Sequence, residues 1–203
     1  MENYLKKIRQ SSEYLMTLMN DVLDISRIES GKLEYKPVPV DLGDMVNTVL
    51  SIARGYAENR DLIFTVSTEK LKNPYVMADE LRIREVLLNI IGNAVKFTKD
   101  GGTISFAAES RPGKDEQHII VRFRISDTGI GMSEEFQTRI FDEFSQENNG
   151  ARTSYKGTGL GMAIAKRYVD IMGGKIEVSS RQGVGSTFTV EIPLLIAEHV
   201  PAE

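Results

Sequence analysis

The chain has 203 residues, 41% hydrophobic and 27% charged, enough for one good-sized globular domain with an appendage. Its formal charge of -4 argues against a general nucleic-acid binder, which would usually be basic. The absence of cysteine excludes disulfides, thiolate metal sites and cysteine nucleophiles, and two histidines, His118 and His199, are too few for a multi-histidine metal site.

Residues 1 to about 31 read as one long helix. Leu5, Ile8, Ser12, Leu15, Met19, Val22 and Ser26 recur in steps of three and four, the spacing of a helix-packing seam, and Leu18, Ile25 and Ile28 widen it. Periodicity alone leaves two readings: a helix packed on its own domain, or one half of a helical hairpin or dimer. Gly31 is a plausible stop. "KPVPV" (36–40) reads as a breaker and a domain boundary. Asp41 is the expected N-cap of a helix over roughly 43–58, with Met45, Val46, Val49, Leu50, Ala53 and Tyr56 on its apolar face.

"LIFTVS" (62–67) and "YVMA" (75–78) are strand candidates, and Asp79 is placed to cap the helix after them. "GGTISFAAES" and "HIIVRFRIS" suggest a strand pair joined by a polar loop. A turn, "DTGIGM" (127–132), leads to a short helix expected over 134–141. Residues 145–157 are polar and lack periodicity, a loop composition. "GLGMAIAKRYVDIM" (159–172) reads as an amphipathic helix entered through glycines, and "GKIEVSS" and "GSTFTVEIP" as a closing hairpin. The residues from 195 to 203 read as a tail or linker. The economical architecture is α+β: a two-layer sandwich with helices on one face of a mixed sheet, preceded by the long helix. The expected domains are 1–35, 36–194 and 195–203. No run of about 20 apolar residues and no signal peptide is present. The chain is therefore expected to be soluble, cytoplasmic and not itself membrane-embedded; an inner-membrane anchor elsewhere in a longer parent is compatible with this.

Three stretches carry candidate chemistry. On the helix after Asp79, Glu85, Asn89, Asn93 and Lys96 fall at steps of four, four and three and form one polar stripe. Amide oxygens suit Mg²⁺, which takes few protein ligands beside substrate phosphates, and Lys96 suits a phosphate. The stripe by itself also fits a solvated helix face. Asp127 at a strand end, followed by two glycines, could accept from an exocyclic amine while a flat base approaches the backbone; an ordinary turn fits as well. "GTGLG" (157–161) exposes backbone N–H groups at a helix start, which suits phosphate. A dinucleotide fold is excluded because a polar loop, not a strand, precedes these glycines, and no P-loop motif occurs.

In order, these motifs resemble the catalytic core of bacterial two-component sensor histidine kinases, within the ATPase superfamily (Bergerat-type ATP-binding fold) that includes gyrase and the heat-shock chaperones. "NIIGNAVKFT" resembles the N box, "DTGIGM" the first glycine box, "FDEF" (141–144) the F box and "GTGLGMAIAK" the second glycine box. "GVGSTFTVEIP" resembles the closing strand element. The resemblance implies ATP and Mg²⁺ as cofactors. It implies Asn93 at the metal, Asn89 and Lys96 at the phosphates as the catalytic pair, and Phe97 near the nucleotide. Asp127 would read the adenine, with Gly129, Gly131 and Met132 shaping its pocket. Phe141 and Phe144 would anchor a lid containing Arg152 and Lys156. Gly157, Thr158, Gly159, Leu160 and Gly161 would wrap the phosphates, and Thr187 would complete the adenine end.

Hydrolytic relatives carry a glutamate at the position of Asn89. An amide is no general base, so the resemblance implies phosphoryl transfer to a protein side chain; Glu85, one turn earlier, is the alternative base. The family's acceptor is a histidine followed by an acidic residue on the first helix of a dimeric hairpin. "SSEYLMTLMNDVLDISRIESGKL" resembles the second helix, and no His-Glu or His-Asp pair occurs. The chain thus reads as truncated after the acceptor, with Met1 an added start, able to bind Mg·ATP but not to phosphorylate itself. Implied partners are a dimer mate through the first helix and a response-regulator receiver domain. The competing readings are an ATP-hydrolysing clamp of the gyrase or chaperone type, a serine kinase of the anti-sigma class, and a non-enzymatic scaffold.

Overall fold

A computed structural model describes residues 2–31, 34–58, 60–72, 75–147 and 157–197. Helix α1 (Glu2–Glu29) leads into strand β1 (Val38–Asp41) and helix α2 (Leu42–Glu58). Strands β2 (Ile63–Lys70) and β3 (Tyr75–Ala78) precede helix α3 (Glu80–Phe97), the bearer of the asparagine stripe. The hairpin β4 (Thr103–Pro112) and β5 (His118–Asp127) comes next, then the short α4 (Glu134–Gln137), helix α5 (Gly161–Ile171), and the hairpin β6 (Lys175–Arg181) and β7 (Gly185–Ile196).

The strands form one mixed sheet in the order β1-β3-β7-β5-β4-β2, with β6 beside β7; only the β2–β4 pairing is parallel. Alternation sorts its faces. Ile104, Phe106, Val121, Phe123, Ile125, Val190 and Ile192 turn inward and are buried against α2, α3 and α5. Burying such a side chain contributes about 1.5–3 kcal/mol, and the inner row is continuous across the central strands. The outer face is polar: Arg122 is paired with Glu109 and Glu191, and Arg111 also reaches Glu191.

Four sequence expectations are corrected. "KPVPV" does not only break: Val38–Asp41 pairs antiparallel with β3, and Pro39 is tolerated because β1 is an edge strand. Tyr56 is exposed, and Ala57 instead completes the buried face of α2. The helix expected over 134–141 stops at Gln137, where turns take over. Leu195 and Ile196 continue β7 and pair with Met77 and Val76, because their alternation with Leu194 extends the sheet. His199 lies outside the described residues.

Caps set the helix starts as read. Asp41 Oδ1 accepts from Asp44 N at 3.0 Å, and Asp79 Oδ1 from Arg82 N at 3.3 Å. Asp79 has a second task, invisible in the sequence. Its Oδ2 accepts from Lys36 N at 3.2 Å, tying the segment after α1 to the start of α3. Helix α1 lies partly on α5, with Ile25 packed on the core. Its seam residues Ile8, Leu15, Met19 and Val22 remain exposed. No described helix is long and apolar enough to cross a membrane.

Candidate ATP site

The site is built where the end of α3, the turn after β5 and the entry to α5 converge. Ile83, Val86, Leu87, Ile90, Ile91 and Ala94 bury one side of α3. That fixes its rotation, and the stripe of Glu85, Asn89, Asn93 and Lys96 stays at intermediate exposure on the other side. Across from the stripe runs the glycine turn. A Cβ on Gly161 would come within 3.1 Å of Asn89 Oδ1, and one on Gly157 within 2.8 Å of Lys96 Nζ. Gly157 and Gly161 leave the turn without a Cβ at the two points where it meets these polar side chains. Gly159, at φ +75°, packs on the backbone of Phe144, where a Cβ would meet the carbonyl carbon at 2.9 Å. Leu160 is fully buried and anchors the turn from beneath, and its N–H is received by Thr158 Oγ1 at 3.2 Å.

The "DTGIGM" turn is pinned on three sides. Ile130 N donates to Phe97 O at 3.2 Å, tying it to the end of α3. Met132 N donates to Ser180 Oγ at 2.9 Å, tying it to β6, and Met132 is buried. Gly183 N donates to Ile130 O at 2.8 Å, tying it to the β6–β7 turn. Gly129 N donates to Asp127 Oδ1 at 2.8 Å, which orients the carboxylate. A Cβ on Gly129 would meet Phe97 O at 2.6 Å. One on Gly131, at φ +63°, would lie 2.0 Å from Arg181 O, so no other residue fits there. The Lys96 ammonium sits over the Phe97 ring, 4.9 Å from its centroid.

Structure and expectation separate at several positions. Phe141 packs against the core, while Phe144 is exposed with φ 57°, rare for a non-glycine residue. Arg152 and Lys156 lie outside the described residues. Thr187 does not face the site. It pairs with Ser126, bonds its hydroxyl at 2.9 Å, and lines an open groove on the outer sheet face with Arg122, Arg124 and Thr189. The residue opposite Asp127 on the inner face is Ser186, which is hydrogen-bonded to Ser180 beneath the turn. Strand alternation, counted back from the buried Phe188, would have found it.

Glu85, the alternative base, is engaged: Arg82 Nη1 holds it at 2.7 Å, donates to the Tyr168 hydroxyl at 2.8 Å, and stacks on that ring at 4.7 Å. Burial, and then the Glu85 charge, push the Tyr168 phenol well above its ordinary range, so it stays neutral. No local signal in the sequence marks this cluster, since Arg82 and Tyr168 are 86 positions apart.

The chain is similar to known proteins in sequence and in fold. Residues 78–196 match the profile of the family described as histidine kinase-, DNA gyrase B- and HSP90-like ATPases. Over 99% of its length the chain is 35% identical to the autoinducer 2 sensor kinase/phosphatase LuxQ of Vibrio parahaemolyticus. It is 38% identical over 94% of its length to the circadian input-output histidine kinase CikA of Synechococcus elongatus. It spans only 23% and 24% of those two proteins. Full-length ShkA in complex with AMPPNP superposes with TM-score 0.79 at 32% identity, covering 97% of this chain and 39% of that one. The catalytic domain of histidine kinase ThkA superposes with TM-score 0.64 at 27% identity, covering 78% of this chain and 95% of that domain. The chain belongs to the family of histidine kinase-, DNA gyrase B- and HSP90-like ATPases and is a catalytic ATP-binding domain of the sensor histidine kinase type.

Proposed function

We propose that this chain binds Mg·ATP between α3 and the glycine turn and passes the γ-phosphoryl group to a histidine supplied by another helical segment. The observation that carries this reading is the close approach of the glycine turn to both Asn89 and Lys96. A donor and an amide, faced by backbone N–H groups at a helix start, form a cradle for a phosphate chain. Asn93, one turn from Asn89 on the same stripe, would hold the magnesium ion by its amide oxygen, with Asn89 beside the phosphates and Lys96 countering their charge. When bound, the ion supplies charge neutralisation along the phosphates. Asp127, oriented by Gly129 N, would accept from the adenine amine, with Met132 under the base and Phe97 at its edge.

In the transfer, the bond from the γ-phosphorus to the β–γ bridging oxygen breaks, a bond to an imidazole nitrogen forms, and ADP leaves with the electron pair. The chain's part is positioning and electrostatics. Asn89 cannot take a proton from water, and the carboxylate of Glu85 is held by Arg82. Both features support transfer over hydrolysis. His118 does not suit the acceptor role: it opens β5 and its Nδ1 contacts Asp115 Oδ1 at 2.5 Å. A dimer mate along the α1 seam and a receiver domain as the next phosphate acceptor complete the proposal. The exposed seam and the sensor-kinase relatives support them.

Calorimetric titration of AMPPNP, with and without Mg²⁺, into this chain and into Asn93→Ala tests the reading. Binding that weakens without Mg²⁺ and in the variant supports it; equal binding in all four titrations removes Asn93 from the metal. Incubation with γ-labelled ATP should leave no phosphohistidine on this chain, and label on His118 would overturn the assignment of an outside acceptor.

A further inference from the structure

Asp21 lies on α1, 137 positions before the residue that it touches. Thr158 Oγ1 donates to Asp21 Oδ2 at 2.8 Å while accepting from Leu160 N. One hydroxyl therefore joins α1 to the turn that enters α5. That turn is the segment lying against Asn89 and Lys96. Its N–H groups and the positive end of α5 favour negative charge. Two anions have a claim on it: the Asp21 carboxylate and a phosphate chain.

Asp21 is supported by its surroundings. Asp24, three positions on, lies close enough to Arg82 and Tyr168 to act on both, and Ile25 packs on the core. Burial pushes the Asp21 carboxyl up, the Thr158 hydrogen bond pulls it back, and Asp24 adds a smaller push. The carboxylate is thus partly stripped of water, where a neighbouring anion is felt more strongly than in bulk solvent.

We propose that α1 and the nucleotide phosphates compete for the Thr158 turn, so that docking of Asp21 weakens nucleotide binding and bound phosphates displace α1. This rests on the reading that the glycine turn holds the phosphates. Coupling between two binding events is reciprocal, so the position of α1 reports nucleotide occupancy. Asp21 acts in this as a positioning residue.

The chain has no cysteine, so Tyr4→Cys and Val184→Cys, at positions 75% and 59% exposed, can carry a spin-label pair. The label separation is measured with and without Mg·AMPPNP, and AMPPNP affinity by calorimetry, in the parent chain, Asp21→Asn, Asp21→Ala and Glu177→Gln. Asn keeps an acceptor for Thr158 and loses the charge; Glu177, on β6 and lining the outer groove, controls for net charge. Both Asp21 variants should bind AMPPNP about fivefold more tightly. Glu177→Gln should stay within about twofold of the parent. AMPPNP should shift the label separation in the parent, and Asp21→Ala should show the shifted separation without nucleotide. Unchanged affinity in both Asp21 variants, with labels that do not move, overturns the competition and leaves the site assignment standing. Absence of AMPPNP binding in every variant overturns the site assignment and the competition together.

Discussion

Helices α1 and α3 are the two longest in the molecule, at 28 and 18 residues, and they meet their surroundings in opposite ways. In α3 the apolar side is wholly covered by the sheet and its neighbours, so its polar stripe is what remains to face the cradle. In α1 the seam of Ile8, Leu15, Met19 and Val22 is exposed, and the contacts that hold it are led by Asp21, Asp24 and Ile25. One helix is positioned by its hydrophobic face and presents polar groups. Among its described side chains, the other is tied to the domain by Asp21, Asp24 and Ile25 and presents a hydrophobic face. The lesson is that an apolar stripe reads as core only when the same chain supplies the surface opposite it.

The largest effect is expected in the core. Ile90→Ala on α3 should destabilise the domain by about 2–5 kcal/mol, because the side chain is fully buried and its truncation leaves a cavity in the core. Urea denaturation followed by circular dichroism measures this, and a loss below 1 kcal/mol would mean that α3 is not held as described. Next in size is Asp79→Ala, which removes both the α3 cap and the Lys36 tie. It should cost about 1–2 kcal/mol and loosen α1 relative to the domain, visible as faster amide exchange at Lys36 and Arg82.

On α1 the expectation reverses. Leu15→Ala should change domain stability by less than about 0.5 kcal/mol. Leu15→Glu should lower self-association measured by sedimentation, since the seam is the apolar surface left to pair. A large stability loss in Leu15→Ala would erase the contrast.

Much of this was legible along the chain. The asparagines at a four-residue step, the glycines before α5 and the caps Asp41 and Asp79 are local signals, each with a cause within one turn of backbone. The strand alternation of β5 and β7 is equally local. Thr187 shows where the motif reading fails: a one-residue step along a strand reverses the face, and the register of β5 against β7 sets Ser186 opposite Asp127. The edge strand at "KPVPV" failed for a related reason, since its partners lie on β3, 34 to 40 positions away.

The sequence by itself determined the fold class, the order of the motifs and the identity of the polar stripe, because hydrophobic period, capping and glycine placement act over a few residues. Tertiary structure alone decided which side chains meet across it: Asp21 with Thr158, Arg82 with Tyr168, Asp79 with Lys36, and Gly161 with Asn89. These contacts join segments 43 to 137 positions apart. No local propensity encodes them, and they exist because burial of the continuous inner face of the sheet fixes where every helix must lie.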